Sequence, residues 1–261
     1  MTELAQEKKT RILVLNPNSS KAMTEGIKAV IDTIGLPHST KIHTYTGPSD
    51  APASINDDKD LDSSTDAVSK DIQSSHPELL SYDGIVVACF SVHPLVETLR
   101  SIPELRAVTL GIFEGSILAA LSLLESHEKW GIVTTGKFWE KHLTDGAIDF
   151  LGGYPSTTNS KFAGVESTGL NASDFHHGVD PAVVKQKLKE ATQRLLAKPG
   201  VKCIVMGCAG MAGLEEIIRL AACEVKGKKF AYSELLVMDG ILAGIMQTEL
   251  AIKYQRLLRP I

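Results

Sequence analysis

Residues 83–89 read Asp83-Gly84-Ile85-Val86-Val87-Ala88-Cys89, and residues 201–208 read Val201-Lys202-Cys203-Ile204-Val205-Met206-Gly207-Cys208. Each is a short, β-branched apolar run of the kind that forms a strand buried on both faces. Each closes on a cysteine followed by turn-forming residues and then a helix. Pro94, a favoured residue just inside a helix start, marks one of these helices, and residues 214–222 supply the other. Strand, loop and helix repeated in this way build parallel sheets.

On the N-terminal side, residues 11–15 form another β-rich run. It ends at Asn16-Pro17-Asn18-Ser19-Ser20, a loop with a helix N-cap before the periodic apolar positions Met23, Ile27, Val30 and Ile31. Residues 42–46 and 108–112 are further strands, and residues 116–124 an apolar helix. The acidic stretch 56–66 reads as a solvated loop and helix start rather than a metal site. The pattern then restarts. Residues 130–135 and 162–165 are strands, 180–196 a helix with Pro181 near its start, 235–238 a strand, and 241–258 a last helix. Asn16 stands 73 residues before Cys89, and Thr135 stands 73 before Cys208. An offset of 119 lays Leu13-Val14 on Ile132-Val133 and Ile85-Val86 on Ile204-Val205. The expected fold is α/β, with two pseudosymmetric lobes, each a parallel-type sheet flanked by helices.

Composition narrows the function classes. Of 261 residues, 43% are apolar and 22% charged, an ordinary mix for a globular protein with a large core. A net charge of -4 and a pI near 6.1 give nucleic acid or an anionic membrane no purchase. The polar opening MTELAQEKKT lacks the apolar centre of a signal peptide, and no apolar run approaches the roughly 20 residues of a membrane span. A cytoplasmic enzyme acting on a small molecule is expected. Assembly into a homo-oligomer is the common state of such enzymes. The four cysteines, at 89, 203, 208 and 223, show no CxxC or Cys/His spacing for zinc, and a reducing compartment argues against disulfides. Cys203 and Cys223 read as small buried hydrophobes. No GxGxxG, GxxxxGK[ST] or HExxH motif points to a cofactor or metal.

Cys89 and Cys208 differ from the other two because they stand at the carboxyl ends of buried strands, where ligands bind in open α/β sheets. A helix N-terminus beside them favours the thiolate and lowers the thiol pKa toward neutrality. Gly207, Ala209 and Gly210 leave backbone N–H groups bare enough for a developing oxyanion to approach. Two facing acid–base groups suit the inversion of a carbon centre. One removes a proton from one face while the other delivers a proton to the opposite face, and the roles exchange in reverse.

The residues also resemble a family. Leu13-Val14-Leu15-Asn16-Pro17-Asn18-Ser19 resembles the I-N-P-N-[ST] opening of the hydantoin and allantoin racemases, a branch of the aspartate/glutamate racemase superfamily. Pro52-Ala53-Ser54-Ile55-Asn56 resembles that branch's P-x-S-I-[EN] segment. The runs Asp83 to Phe90 and Ile204 to Met211 are similar to its two cysteine-bearing strands, and Val237-Met238-Asp239-Gly240 to its late V-x-D-G/P crossing. These segments span nearly the whole chain in order. The resemblance implies an active site in the cleft between the lobes, no cofactor, and Cys89 and Cys208 as catalytic bases. It implies a C-terminal helix that returns to the first lobe, so that residues 1–113 with 240–261 make one lobe and 114–239 the other. It further implies that Asn16 hydrogen-bonds the substrate ring and that the N–H groups of Phe90, Ser91, Ala209 and Gly210 hold its carbonyls. Thr135, the repeat-mate of Asn16, is a further substrate-binding candidate.

Departures from the family pattern bear on the substrate. Many bacterial members carry C-F-G-D-P where this chain has Cys89-Phe90-Ser91-Val92-His93-Pro94. His93 reads as a solvated histidine at a helix start, with tuning of the thiol as its other reading. The run Thr134 to Phe138 also differs. Hydantoins and allantoin share one ring and differ in the 5-substituent. Aromatic residues make up only 5% of the chain, so few are available to line an aromatic pocket. Trp130 and Trp139 read as packing residues, and His176-His177 as part of a surface loop. A superfamily decarboxylase or isomerase using one active cysteine, or a non-catalytic two-lobed binding protein for a cyclic amide, fits the same fold.

Overall fold

A computed structural model describes residues 9–37, 39–154, 157–175 and 178–259. The chain folds as eight strands and eight α-helices among these residues. The first half runs β1 (Thr10–Asn16), α1 (Lys21–Ile31), β2 (Thr40–Thr46), α2 (Asp58–Ser75), β3 (Gly84–Val87), α3 (Pro94–Arg100), β4 (Val108–Gly111) and α4 (Ile112–Leu123). The second runs β5 (Lys129–Thr134), α5 (Phe138–Phe150), β6 (Phe162–Ser167), α6 (Pro181–Leu196), β7 (Val201–Gly207), α7 (Glu215–Lys226), β8 (Leu236–Asp239) and α8 (Gly240–Leu258). The strands form two four-stranded parallel sheets ordered β2-β1-β3-β4 and β6-β5-β7-β8. The second sheet thus repeats the strand order of the first.

Alternation along each strand explains the uninterrupted apolar runs. Ile12 and Val14 of β1, Val86 of β3, Trp130 and Ile132 of β5, and Cys203 and Val205 of β7 all enter one core shared by the two sheets. Their neighbours Leu13, Leu15, Ile85 and Val87 pack outward with Val68, Ile72, Leu95 and Leu99 of α2 and α3. On the second sheet, Val133, Ile204 and Met206 pack outward with Leu188, Leu195 and Ile218 of α6 and α7. Both faces of every central strand are therefore buried, as parallel sheets require.

Helices α4 and α8 contribute Ile112, Ile117, Ile241, Ile245 and Ile252 to the shared core. They approach so closely that a Cβ on Gly115 would meet Gly244 Cα at 2.8 Å, which only glycine permits. The far end of α8 is tied to the first sheet. Arg256 donates to Asp83 Oδ1 at 2.9 Å and to Thr10 Oγ1 at 2.8 Å.

The structure refines the expected elements at three points. The strand at 108–112 ends at Gly111, and α4 follows with no intervening loop. The acidic stretch 56–66 is a loop and helix start, as expected; the helix begins at Asp58 and continues to Ser75, with Leu61, Ser64, Ala67, Val68 and Ile72 as its buried face. Helix α5 was not expected at all, although Trp139, Leu143 and Ala147 repeat at four-residue spacing on its inner face. His176 and His177 lie outside the described residues. No helix among the described residues is long and apolar enough to cross a membrane.

Candidate active site

Strand ends build the site. Cys89 lies two residues beyond the end of β3, and Cys208 directly after β7, the corresponding strand of the other sheet. Both line one cavity of about 30 Å³. Its remaining walls come from loops at the carboxyl ends of neighbouring strands and the helices they enter: Asn18 and Met23 after β1, Ala88 and Phe90 after β3, Thr135 and Trp139 after β5, Ala172 after β6, and Gly207, Ala209 and Gly210 around Cys208. Ile55, just before α2, completes it.

The two halves are not in identical register. Leu15 pairs with Val87 in the first sheet, which sets Asn16 level with Ala88. In the second, a register shift between Lys129 and Trp130 brings Thr134 opposite Gly207, which sets Thr135 level with Cys208.

Most of the expected site residues meet here, but Asn16 and Ser91 do not line the cavity. Asn16 is buried, and its side-chain amide donates to Asn18 Oδ1 (3.0 Å), Ser20 O (3.2 Å) and Thr24 Oγ1 (3.0 Å). It shapes the Asn-Pro-Asn turn, and Asn18 is the asparagine that reaches the cavity. Ser91 is fully buried; its N–H donates to Cys89 O at 3.0 Å and its hydroxyl to Cys89 Sγ at 3.4 Å. The Gly210 N–H donates to Cys208 Sγ at 3.3 Å. Of the four N–H groups expected at substrate carbonyls, those of Ser91 and Gly210 are thus engaged within their own loops.

Burial dominates the thiols. It pushes the Cys89 thiol up to about 12 against the help of the Ser91 hydroxyl, with the negative charges of Cys208 and Glu114 acting in the same upward direction. Both sulfurs line the same cavity, and an anion on one opposes an anion on the other. Burial lifts Cys208 to about 11, moderated by the N–H groups of Gly210 and Met211. The expected lowering toward neutrality is overridden, because the cost of taking a thiolate out of water exceeds what one or two N–H donors return. Cys203, fully buried in the shared core, is raised to about 12 by desolvation alone. Cys223, expected to be buried, is half-buried, as are Cys89 and Cys208 at the cavity wall.

His93 is not solvated. It is 2% exposed and caps α3, its Nδ1 accepting from Leu95 N at 3.2 Å. That bond leaves the proton on Nε2, 3.5 Å from Ser64 Oγ, which in turn donates to Pro17 O at 2.7 Å. Burial pushes the imidazole down to about 3, with the charge of His142 acting the same way, so at neutral pH it is an uncharged link between two site loops. Trp130 is fully buried and stacks against Phe162, as a packing residue does. Trp139 packs edge-on against Phe138 and His142 but also lines the cavity, a role its isolated position in the sequence did not reveal. Met23, Ile55 and Ala172 were also missed. They are ordinary apolar residues brought in from separate loops. Among the described residues, the cluster suited to a metal ion, Glu125, His127 and Glu128, lies on the turn before β5, at the opposite end of the sheet.

Two parallel α/β sheets whose matched strand ends each deliver a thiol to one cavity define an isomerase of the racemase architecture. The Asp/Glu/hydantoin racemase family model matches residues 12–248, and the chain belongs to that family. Relatives agree. A hydantoin racemase of Paenarthrobacter aurescens is 29% identical over 78% of this chain and 79% of its own. An uncharacterized protein of Schizosaccharomyces pombe is 34% identical over 90% and 89%. An allantoin racemase structure from Klebsiella pneumoniae superposes with a TM-score of 0.74 at 24% identity, covering 94% of this chain and 89% of that one, and shares the fold.

Proposed function

We propose that the enzyme is a cofactor-independent racemase of a small cyclic amide, a 5-substituted hydantoin or allantoin, with Cys89 and Cys208 as its acid–base pair. One observation carries the reading: two thiols from separate sheets line a single cavity. The names of the Paenarthrobacter and Klebsiella relatives favour the ring class.

Inversion begins with one sulfur as thiolate and the other as thiol, a state the mutual repulsion of two thiolates favours. Burial chiefly raises both thiols, opposed at Cys89 by the Ser91 hydroxyl and at Cys208 by the N–H groups of Gly210 and Met211. Taking Cys208 as the starting thiolate describes one direction, and the roles exchange for the other enantiomer. The Cys208 thiolate takes the C5 hydrogen as a proton. The C5–H bond breaks, an S–H bond forms, and the electron pair moves into the adjacent ring carbonyl. The Cys89 thiol then delivers its proton to the opposite face and is left as thiolate. Neither sulfur has to cross the plane of the ring. In this reading Asn18, Thr135 and the N–H groups of Phe90 and Ala209, from residues that line the cavity, orient the ring's amide edges.

Polarimetry on optically pure hydantoins and allantoin tests this, with wild type, Cys89→Ser and Cys208→Ser compared. Each substitution is expected to abolish racemisation. A wild-type rate in either variant would end the two-thiol reading. Exchange of the C5 hydrogen in deuterated water, with the opposite enantiomer as the sole product, separates racemisation from decarboxylation or isomerisation.

A further inference from the structure

Helix α8 buries one side and leaves the other bare. Ile241, Ala243, Ile245 and Ile252 face the core. On the opposite side Leu242, Met246, Leu250, Tyr254, Leu257 and Leu258 are 39, 46, 44, 56, 75 and 76% exposed. Four of them recur at intervals of four residues and the last pair one turn further on, so they form a single stripe along the helix. Solvated helix faces carry charged and polar side chains. The stripe's one charge, Lys253, sits 3.3 Å from Glu249 on its own helix and is neutralised there.

The stripe is large enough to matter. Its summed exposure equals about three whole side chains, roughly 600 Å² at about 200 Å² for a large apolar residue. That reaches the lower end of the roughly 600–1,000 Å² that each partner contributes to a standard stable interface.

We infer that this face is the contact between two copies of the chain, packed α8 against α8 about a two-fold axis. An apolar stripe along a straight helix is its own complement under a two-fold rotation, because the same residues meet from both sides. With Lys253 paired inside its own chain, closing the contact sets no unpaired like charges against each other. Leu250, near the middle of the stripe, falls closest to the axis. The inference does not depend on the identity of the substrate.

Sedimentation velocity over about 1–100 µM chain, a range spanning the usual affinities of such interfaces, provides the first test. Wild type is expected at twice the 28.1 kDa chain mass or a higher multiple. The double variant Leu250→Lys, Tyr254→Lys should lose that mass, while Leu220→Lys on α7, 41% exposed, should keep it. A wild type that stays a single chain, or an assembly that survives the double variant, overturns the inference. A second measurement needs no variant. Met246 is the exposed methionine among the described residues, so peroxide oxidation read by mass spectrometry reports whether the face is covered. Oxidation at least about tenfold slower than for free methionine supports the contact, and oxidation at the free rate at every concentration refutes it.

Discussion

Gly207 closes β7 and places Cys208, and there is no room there for even a methyl group. A Cβ would lie 2.5 Å from Ile132 Cγ2, 3.0 Å from Thr134 Cβ and 3.0 Å from Val133 O. Carbon atoms settle about 3.5–4.0 Å apart, so Ile132 would have to retreat by about 1 Å while fully buried. Val133 O is strand backbone, and the Thr134 hydroxyl donates to the Gly207 carbonyl at 2.7 Å, locking the two strand ends together. The strand end must yield instead, carrying Cys208 with it. Overpacking of this kind costs about 1–3 kcal/mol. At about 2–4 °C per kcal/mol for a chain of this size, Gly207→Ala should lower Tm by about 2–12 °C. A shift near 1 Å in an acid–base group costs on the order of 100-fold in rate, so racemisation should fall about 10- to 100-fold. Gly136→Ala is the control, since its Cβ would meet nothing nearer than Leu170 O at 3.9 Å. Polarimetry and circular-dichroism melting report the two effects. A Gly207→Ala enzyme with wild-type rate and Tm would refute the claim that packing at β7 sets the sulfur.

Both thiols are held above the ordinary range, at about 12 and about 11. The one-thiolate state therefore grows about tenfold per pH unit near neutrality, and kcat/KM should climb between pH 6 and 8, where a flat profile would contradict the assignment. The same shifts act on stability. Folded values above the unfolded one of about 8.5 mean the buried thiols support folding below that pH and lose stability progressively as pH rises toward 12. Ser64→Ala leaves Pro17 O and the His93 Nε2–H unpartnered. It should cost about 1–3 kcal/mol, and an unchanged Tm would show that the link between the two site loops contributes nothing. Because Trp139 lines the cavity, bound substrate should change its emission. The change should persist in Trp130→Phe and vanish in Trp139→Phe; a signal that follows Trp130 instead would count against substrate binding in this cavity.

The sheets were legible in the sequence because every central strand is buried on both faces and cannot hide its apolar run. The cysteines were legible because they end those runs. What escaped depended on contacts between distant segments. Asn16 and Asn18 are equivalent as letters in an Asn-Pro-Asn turn; only the folded turn shows Asn16 bonding inward to Ser20 and Thr24 while Asn18 meets the cavity. His93 looked solvated because its neighbours in sequence are polar or turn-forming, yet α2 covers it through Ser64. Helix α5 was hidden by charged residues and Gly146, whose missing side chain allows close approach to Val92, where a Cβ would come within 2.3 Å. The thiol environments could not be read at all, since a helix N-terminus is visible in sequence but the depth of burial is not.

The repeat makes the two thiols correspond without making them equal. Cys89 is supported by a hydroxyl and Cys208 by backbone N–H groups, and the one-residue difference in register places them differently against their neighbouring strands. An enzyme that interconverts two enantiomers faces a constraint that no asymmetry of the site can lift. The enantiomers have equal free energy in solution, so kcat/KM must be the same in both directions. Inequality between the thiols can appear only as kcat and KM differing together. Ser91→Ala makes this testable. It removes the 3.4 Å bond to the Cys89 sulfur, and the loss of a hydrogen bond to a charged group should change kcat on the order of tenfold. The change should fall unequally on the two directions, with KM following in proportion. Initial rates measured from each pure enantiomer give all four constants. If Ser91→Ala left kcat unchanged, or changed it equally in both directions, the hydroxyl at the Cys89 sulfur would not set the two thiols apart, and the proposed asymmetry of the proton relay would have to be abandoned.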